Sequence, residues 1–173
     1  VFKSRASLGG RGIKRKGNDQ VVAMAVIRSV EAEADERAGY LKMRRALAGL
    51  ADDAEIEDEE ATAGAISQER YAEMSAAENL ILTITEQGSG KLSSSHDYPL
   101  RGRGGMGVAA MDKAMRGGPV VASFPVEMDA QIMLVTSHGQ SLRCPIDGIS
   151  FRSRSAGGVK VFDTSKANAW WRL

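Results

Sequence analysis

The sequence predicts a mainly β protein made of propeller-like blades of about 50 residues, two to three of them and partial, with an acidic α-helical hairpin inserted. Three observations carry that expectation. Residues 81–108 superimpose on 132–159 without a gap at a fixed offset, so that Ile81 meets Ile132, Thr85 meets Thr136, Gly88 meets Gly139, Arg101 meets Arg152 and Arg103 meets Arg154. Glycine occurs 19 times in 173 residues, above the ~7% norm, which favours a turn-rich β protein. The net charge of +1 is an average over two unlike bodies: residues 31–79 hold 14 acids against five Lys/Arg, whereas the other 124 residues hold 8 acids and 18 bases. The split is −9 against +10.

In chain order, residues 1–30 read as the end of one blade, because FKSRASLGGRGI matches FRSRSAGGV once three extra residues are allowed. Both early copies continue into VVA, at Val21–Ala23 and Val120–Ala122. Residues 31–79 change period. Ala38, Leu41, Leu47 and Leu50 fall roughly on one helical face, and a second helix is expected from Ser67, as N-cap, to Glu78, with Tyr71 and Met74 on its apolar side. Asp52–Glu60 between them carries seven acids in nine residues, where like-charge repulsion disfavours compact structure. Residues 80–129 read as a complete blade. Leu80–Thr85 is a strand, Gln87-Gly88 a turn and Lys91–Ser94 the returning strand, with further strands at Gly107–Met111 and Val120–Val126 divided by the Arg116–Pro119 turn. Residues 130–173 read as the following blade, truncated at its C-terminus. Val1 in place of a methionine predicts a fragment.

Several chemistries are disfavoured. No apolar run approaches the ~18 residues of a membrane span, and nothing has the shape of a signal peptide, which makes a cytoplasmic location the expectation. Cys144 stands alone and next to Pro145, and reads as a small apolar residue; with only His96 and His138 beside it, the chain lacks a zinc set. No Ser-His-Asp spacing or G-x-S-x-G elbow is present. Gly88-Ser89-Gly90-Lys91 resembles the end of a phosphate loop, but position 92 is Leu and position 85 is not glycine, so a hairpin turn is expected. Neither a catalytic residue nor a metal or cofactor site is expected.

The cations are more informative. Lys3/Arg5, Arg101/Arg103 and Arg152/Arg154 are i, i+2 pairs at matched places in successive repeats. In extended backbone such pairs project to one side, so blades around an axis would set them along one rim. Arg11, Lys14, Arg15 and Lys16 in the first copy, and Lys113 and Arg116 in the second, add charge nearby. Evenly spaced cations suit the phosphates of duplex DNA. With no obvious base-reading helix, affinity would come from counterion release and any preference from DNA bendability.

The tracts ILTITEQGSGK, SSSHDYPLRGRGGMGV, VVASFPVEMDAQIMLVTSHGQSLRCPIDGISFRSRSAGGVKVF and GRGIKRKGNDQVVAMAV resemble the C-terminal DNA-wrapping domain of the DNA gyrase A subunit, over about 1–30 and 80–162. The acidic block resembles an insertion that some bacterial members carry. The resemblance implies a β-pinwheel whose basic rim wraps duplex DNA, in a topoisomerase whose two A subunits join two B subunits in an A2B2 complex. That enzyme introduces negative supercoils using ATP and Mg2+ held by other domains; its catalytic tyrosine lies outside the resembling region, so Tyr40, Tyr71 and Tyr98 do not inherit the role. Localisation would be cytoplasmic, with the nucleoid. The family's Q-R-R-G-G-K-G box is matched only loosely by Leu100–Gly107, which lacks the leading Gln and has Met106 for Lys, so this copy reads as a later blade. The ending Asn168–Leu173 also departs from the family pattern and points to a truncated or frame-shifted end. Two other readings remain at this point: the C-terminal domain of the topoisomerase IV A subunit, and an interaction module docking an acidic protein. The charge split further suggests that the acidic insert regulates the domain by occupying the basic rim.

Overall fold

A computed structural model describes residues 4–48, 64–112, 114 and 117–163. The expectations for Leu50, for the Asp52–Glu60 tract and for the ending Asn168–Leu173 lie outside those residues. The described elements run α1 (Ala34–Leu47), α2 (Gln68–Ala77), β1 (Leu80–Thr85), β2 (Ser89–Ser94), β3 (Val120–Val126), β4 (Gln131–Val135), β5 (Ser141–Pro145) and β6 (Val159–Lys160).

The repeat is visible as two equivalent hairpins. β1 pairs antiparallel with β2, Leu82 facing Leu92, and β4 pairs with β5, Leu134 facing Leu142. Each hairpin turns on a glycine with left-handed backbone, Gly88 at φ +79° and Gly139 at φ +78°, a conformation that costs glycine nothing. A one-turn 3-10 helix follows each, Ser95–Asp97 and Ile146–Gly148.

The repeats interlock. The first sheet has the order β3-β1-β2-β6, and β6 arrives from beyond the second hairpin. Phe151 bridges Leu92 in parallel, Arg152 N donates to Leu92 O at 2.8 Å, and Val159 and Lys160 pair with Gly90 and Ser89. This explains two departures from expectation. Gly107–Met111 stands where Gly158–Phe162 stands one repeat later, and Val21–Ala23 where Val120–Ala122 does, yet neither is a strand. Strand-forming residues need a ladder partner, and among the described residues neither segment meets an equivalent hairpin edge.

The sheet alternates faces. Leu82, Ile84 and Leu92 point into a core shared with Ile146 and Ile149, against which Phe124, Phe151 and Cys144 also pack. Each fully buried aliphatic side chain there is worth about 1.5–3 kcal/mol. The other face holds Thr83, Thr85, Lys91 and Ser93, all fully buried and polar. The irregular 153–156 segment covers it, and its carbonyls need donors. Lys91 Nζ supplies them, donating to Ser153 O at 2.7 Å, Arg154 O at 2.7 Å and Ala156 O at 2.6 Å. On the core face Gly90 leaves room for Ile84, whose Cδ1 a Cβ there would overlap. The GSGK tract is thus a packed hairpin.

Both helices of the acidic block form, and they dock against the Ser95–Asp97 turn that follows β2. Ser67 caps α2, its side chain accepting from Arg70 N at 3.1 Å. α1 begins with a capping box of Glu33 and Glu36. The Glu33 backbone N–H, then the Arg70 side chain, hold the Glu36 carboxyl below its usual range. On the expected face of α1 Leu41 is buried and Ala38 half-buried, but Leu47 is 67% exposed and the buried side takes in Tyr40 instead. Tyr40 sets that face by stacking on Tyr71 at 5.0 Å and meeting His96 edge-on at 4.9 Å. Burial pushes its phenol up to about 12. His96 Nε2 shares a hydrogen bond with Met74 O at 2.8 Å, and Arg44 both pairs with Glu78 at 2.9 Å and lies 3.8 Å over the Phe151 ring.

Replacing Lys91 by Met should cost about 3–5 kcal/mol in denaturant unfolding, because three buried carbonyls lose their donor. Burial pushes the Lys91 ammonium down to about 8. The unfolded chain holds that proton to about 10.4, so unfolding takes up a proton between those values and the stability due to Lys91 rises with pH there. The gap between wild type and Lys91→Met should therefore widen from pH 8 to 10; a constant gap would contradict the burial of the charge.

Candidate nucleic-acid interface

The cations predicted from sequence separate into two groups. Arg5, Arg11, Lys14, Arg101 and Arg103 are exposed. Arg152 and Arg154 are half-buried. Lys3, Lys113 and Arg116 lie outside the described residues.

The first group is organised by a loop. After the Ser95–Asp97 turn the chain passes Pro99 into Arg101-Gly102-Arg103-Gly104-Gly105, where Arg103 and Gly104 form a turn. Gly104 has φ +79°, a conformation that other residues enter only with strain. It donates its N–H to Gly12 O at 2.9 Å, and Lys14 N donates to Gly105 O at 2.8 Å. These two bonds tie Arg11–Lys14 to the loop, so cations 90 positions apart in sequence share one surface. The tie was not readable from sequence, because only backbone atoms make it. In the same segment Arg15 Nη1 donates to Asp19 O at 2.9 Å.

The two i, i+2 pairs that lie among the described residues are not extended strands. Arg101 and Arg103 enter a turn, and Arg152 to Arg154 runs from a single bridge into a bend. The geometric premise for a common projection is therefore absent for both pairs.

Arg154 faces the protein. Its N–H donates to Asp97 Oδ2 at 2.6 Å, its Nε to Asp97 O at 2.9 Å, and its Nη1 to Ala109 O at 2.7 Å. Arg152 has its Nε enclosed and, among the described residues, without a hydrogen-bond partner.

Arg37, which the sequence assigned to the acidic block, lies on α1 and lines a cleft of about 230 Å³ together with Arg101, Asp97 and Arg154. Nothing in the sequence placed it there; the docking of the helices does. No cluster of His, Cys, Asp or Glu suited to a metal ion occurs among the described residues. Chemically the described surface offers fixed positive charge and backbone exposed by glycine, without a nucleophile or an acid–base pair. Among the described residues no helix is long and apolar enough to cross a membrane.

Comparison with known proteins agrees with this architecture. The family described as the DNA gyrase C-terminal domain, a β-propeller, matches residues 79–125 and 130–166. The chain is 43% identical to the DNA gyrase A subunit of Granulibacter bethesdensis over 96% of its own length and 19% of that protein. It is 36% identical to the DNA gyrase A subunit of Rickettsia bellii, over 94% of its length and 18% of the relative. It thus spans about a fifth of the curated relatives it matches. A solved structure of a DNA gyrase A C-terminal domain aligns with 49% of the chain and 29% of its own at a TM-score of 0.46 and 27% identity.

Gly104→Ala should cost about 1–2 kcal/mol through the left-handed backbone alone. Amide exchange at Gly104 and Lys14 should accelerate together, since one loop geometry holds both; acceleration at Gly104 only would contradict the coupling.

Proposed function

The chain belongs to the DNA gyrase C-terminal domain family, and on that premise we propose that it binds and wraps duplex DNA without sequence specificity, as part of the A subunit of a DNA gyrase. The observation that carries the reading is the surface on which Arg11, Lys14, Arg101 and Arg103 are exposed and tied together by the Gly12–Gly104 and Gly105–Lys14 hydrogen bonds. Arg5 lies upstream on the same basic segment, and Lys3, Lys113 and Arg116 are proposed contacts by their place in the repeats. Affinity would come from release of counterions condensed on the phosphates, and bending cost would be offset by many backbone contacts.

On the same reading, residues 1–30 end one blade, 31–79 are an insertion, 80–129 form a blade and 130–173 belong to the next. The whole enzyme would be a homodimer of A subunits joined by two B subunits in an A2B2 complex, acting on cytoplasmic, nucleoid-associated DNA. ATP and Mg2+ would act through other domains. The curated relatives described above are gyrase A subunits, which favours gyrase over topoisomerase IV.

Replacing Arg11, Lys14, Arg101 and Arg103 together by alanine should leave the fold intact, because none has a buried side chain. The slope of log K against log salt for a mixed-sequence duplex should fall by up to about 3.6, at roughly 0.9 for each phosphate no longer neutralised. An unchanged slope would overturn the assignment of this surface.

A further inference from the structure

We propose that Arg154 is a positioning residue, fixing the RGRGG loop through Asp97 and Ala109, and that it does not itself bind phosphate. The inference rests on the DNA-binding reading above and departs from the sequence expectation, in which Arg154 was one of the rim cations.

The loop that carries Arg101 and Arg103 leaves the hairpin at Asp97 and rejoins packed structure near Ala109. Arg154 contacts both ends at once. Its Nε holds Asp97 O, its Nη1 holds Ala109 O, and its own N–H is accepted by Asp97 Oδ2. A guanidinium presents its donors in a rigid planar fork, so bonds from Nε and Nη1 to two carbonyls fix their spacing. A lysine ammonium in that place keeps the charge but lacks the fork.

Arg154 is in turn held from behind. Its carbonyl accepts from Lys91 Nζ at 2.7 Å, and the same ammonium grips Ser153 and Ala156. The chain of contacts therefore runs from the β2 strand through Lys91 to the 153–156 segment, then through Arg154 to both ends of the loop. Its last link reaches the exposed cations. Arg154 retains 14% side-chain exposure and Asp97 7%, so neither presents much surface to a polyanion.

Electrostatics and positioning predict opposite signs for Asp97. Removing a carboxylate close to a phosphate track should tighten DNA binding if charge alone matters. If Asp97 matters because it anchors Arg154, its loss should weaken binding.

The test uses Arg154→Lys, Asp97→Ala, Arg101→Ala and the Arg154→Lys/Arg101→Ala double variant of this chain. Amide exchange over 98–108 is measured without DNA, and affinity is measured for a mixed-sequence duplex. Positioning predicts faster exchange over 98–108 in Arg154→Lys and about five- to tenfold weaker binding despite the retained charge. The double variant should be little worse than Arg101→Ala alone, because Arg154 acts through the loop. Asp97→Ala should also weaken binding, and it carries the same test if Arg154→Lys does not fold. Unchanged exchange together with wild-type affinity in Arg154→Lys, or tighter binding in Asp97→Ala, would overturn the inference. If the wild-type chain shows no salt-dependent affinity for the duplex, the DNA-binding reading fails instead, and the exchange result still decides the role of Arg154 in holding the loop.

Discussion

A single ammonium group, Lys91 Nζ, sits out of water against three backbone carbonyls of the segment that covers the first sheet. Much of the local architecture follows from that contact. An irregular segment can be buried only if its polar backbone is satisfied, and strands do not do this for residues 153–156, which no ladder among the described residues reaches. With the segment anchored, Phe151 can bridge Leu92, β6 can complete the sheet edge, and Arg154 can extend towards Asp97 and Ala109. The buried cations and the exposed ones thus have separate tasks: the former order backbone, the latter are left to face solvent.

The interlocking of repeats has a second consequence. Each hairpin is a complete pair, but the sheet around it is finished by a neighbour, as β6 finishes β2. Stability is then shared across repeats, and a tract with strand-like composition becomes a strand only where a preceding hairpin offers it an edge. The helical insertion joins the same framework through side chains: Tyr40 against His96, and Arg44 over Phe151. It meets both the Ser95–Asp97 turn after the first hairpin and the following repeat, and it brings Arg37 to the cleft beside Arg101.

What the sequence disclosed is what local chemistry and repetition determine. β1 and β3 have the bounds expected from their composition, β2 begins two residues earlier than expected, and α2 starts at the predicted Ser67 cap. Other features depend on partners distant in sequence. Gly107–Met111 has strand composition but no ladder among the described residues. On the expected apolar stripe of α1 Leu41 is buried but Leu47 is not, because the contacts of Tyr40 to Tyr71 and His96 draw the buried side towards Tyr40. The arginine pairs show the same limit. Repetition marked Arg101, Arg103, Arg152 and Arg154 as equivalent, but Arg154 is turned inward by Asp97 of the preceding repeat. Spacing along the chain identifies equivalent backbone positions; the neighbours decide which side chains stay free.

If a polyanion is held on the joined surface of Arg11–Lys14 and the RGRGG loop, backbone amide chemical shifts followed while a short mixed-sequence duplex is titrated in will show it most directly. Perturbations should concentrate at 11–14 and 101–107 and disappear on raising the salt. Perturbations confined to the outer faces of α1 and α2, or to β3 and β4, would contradict it.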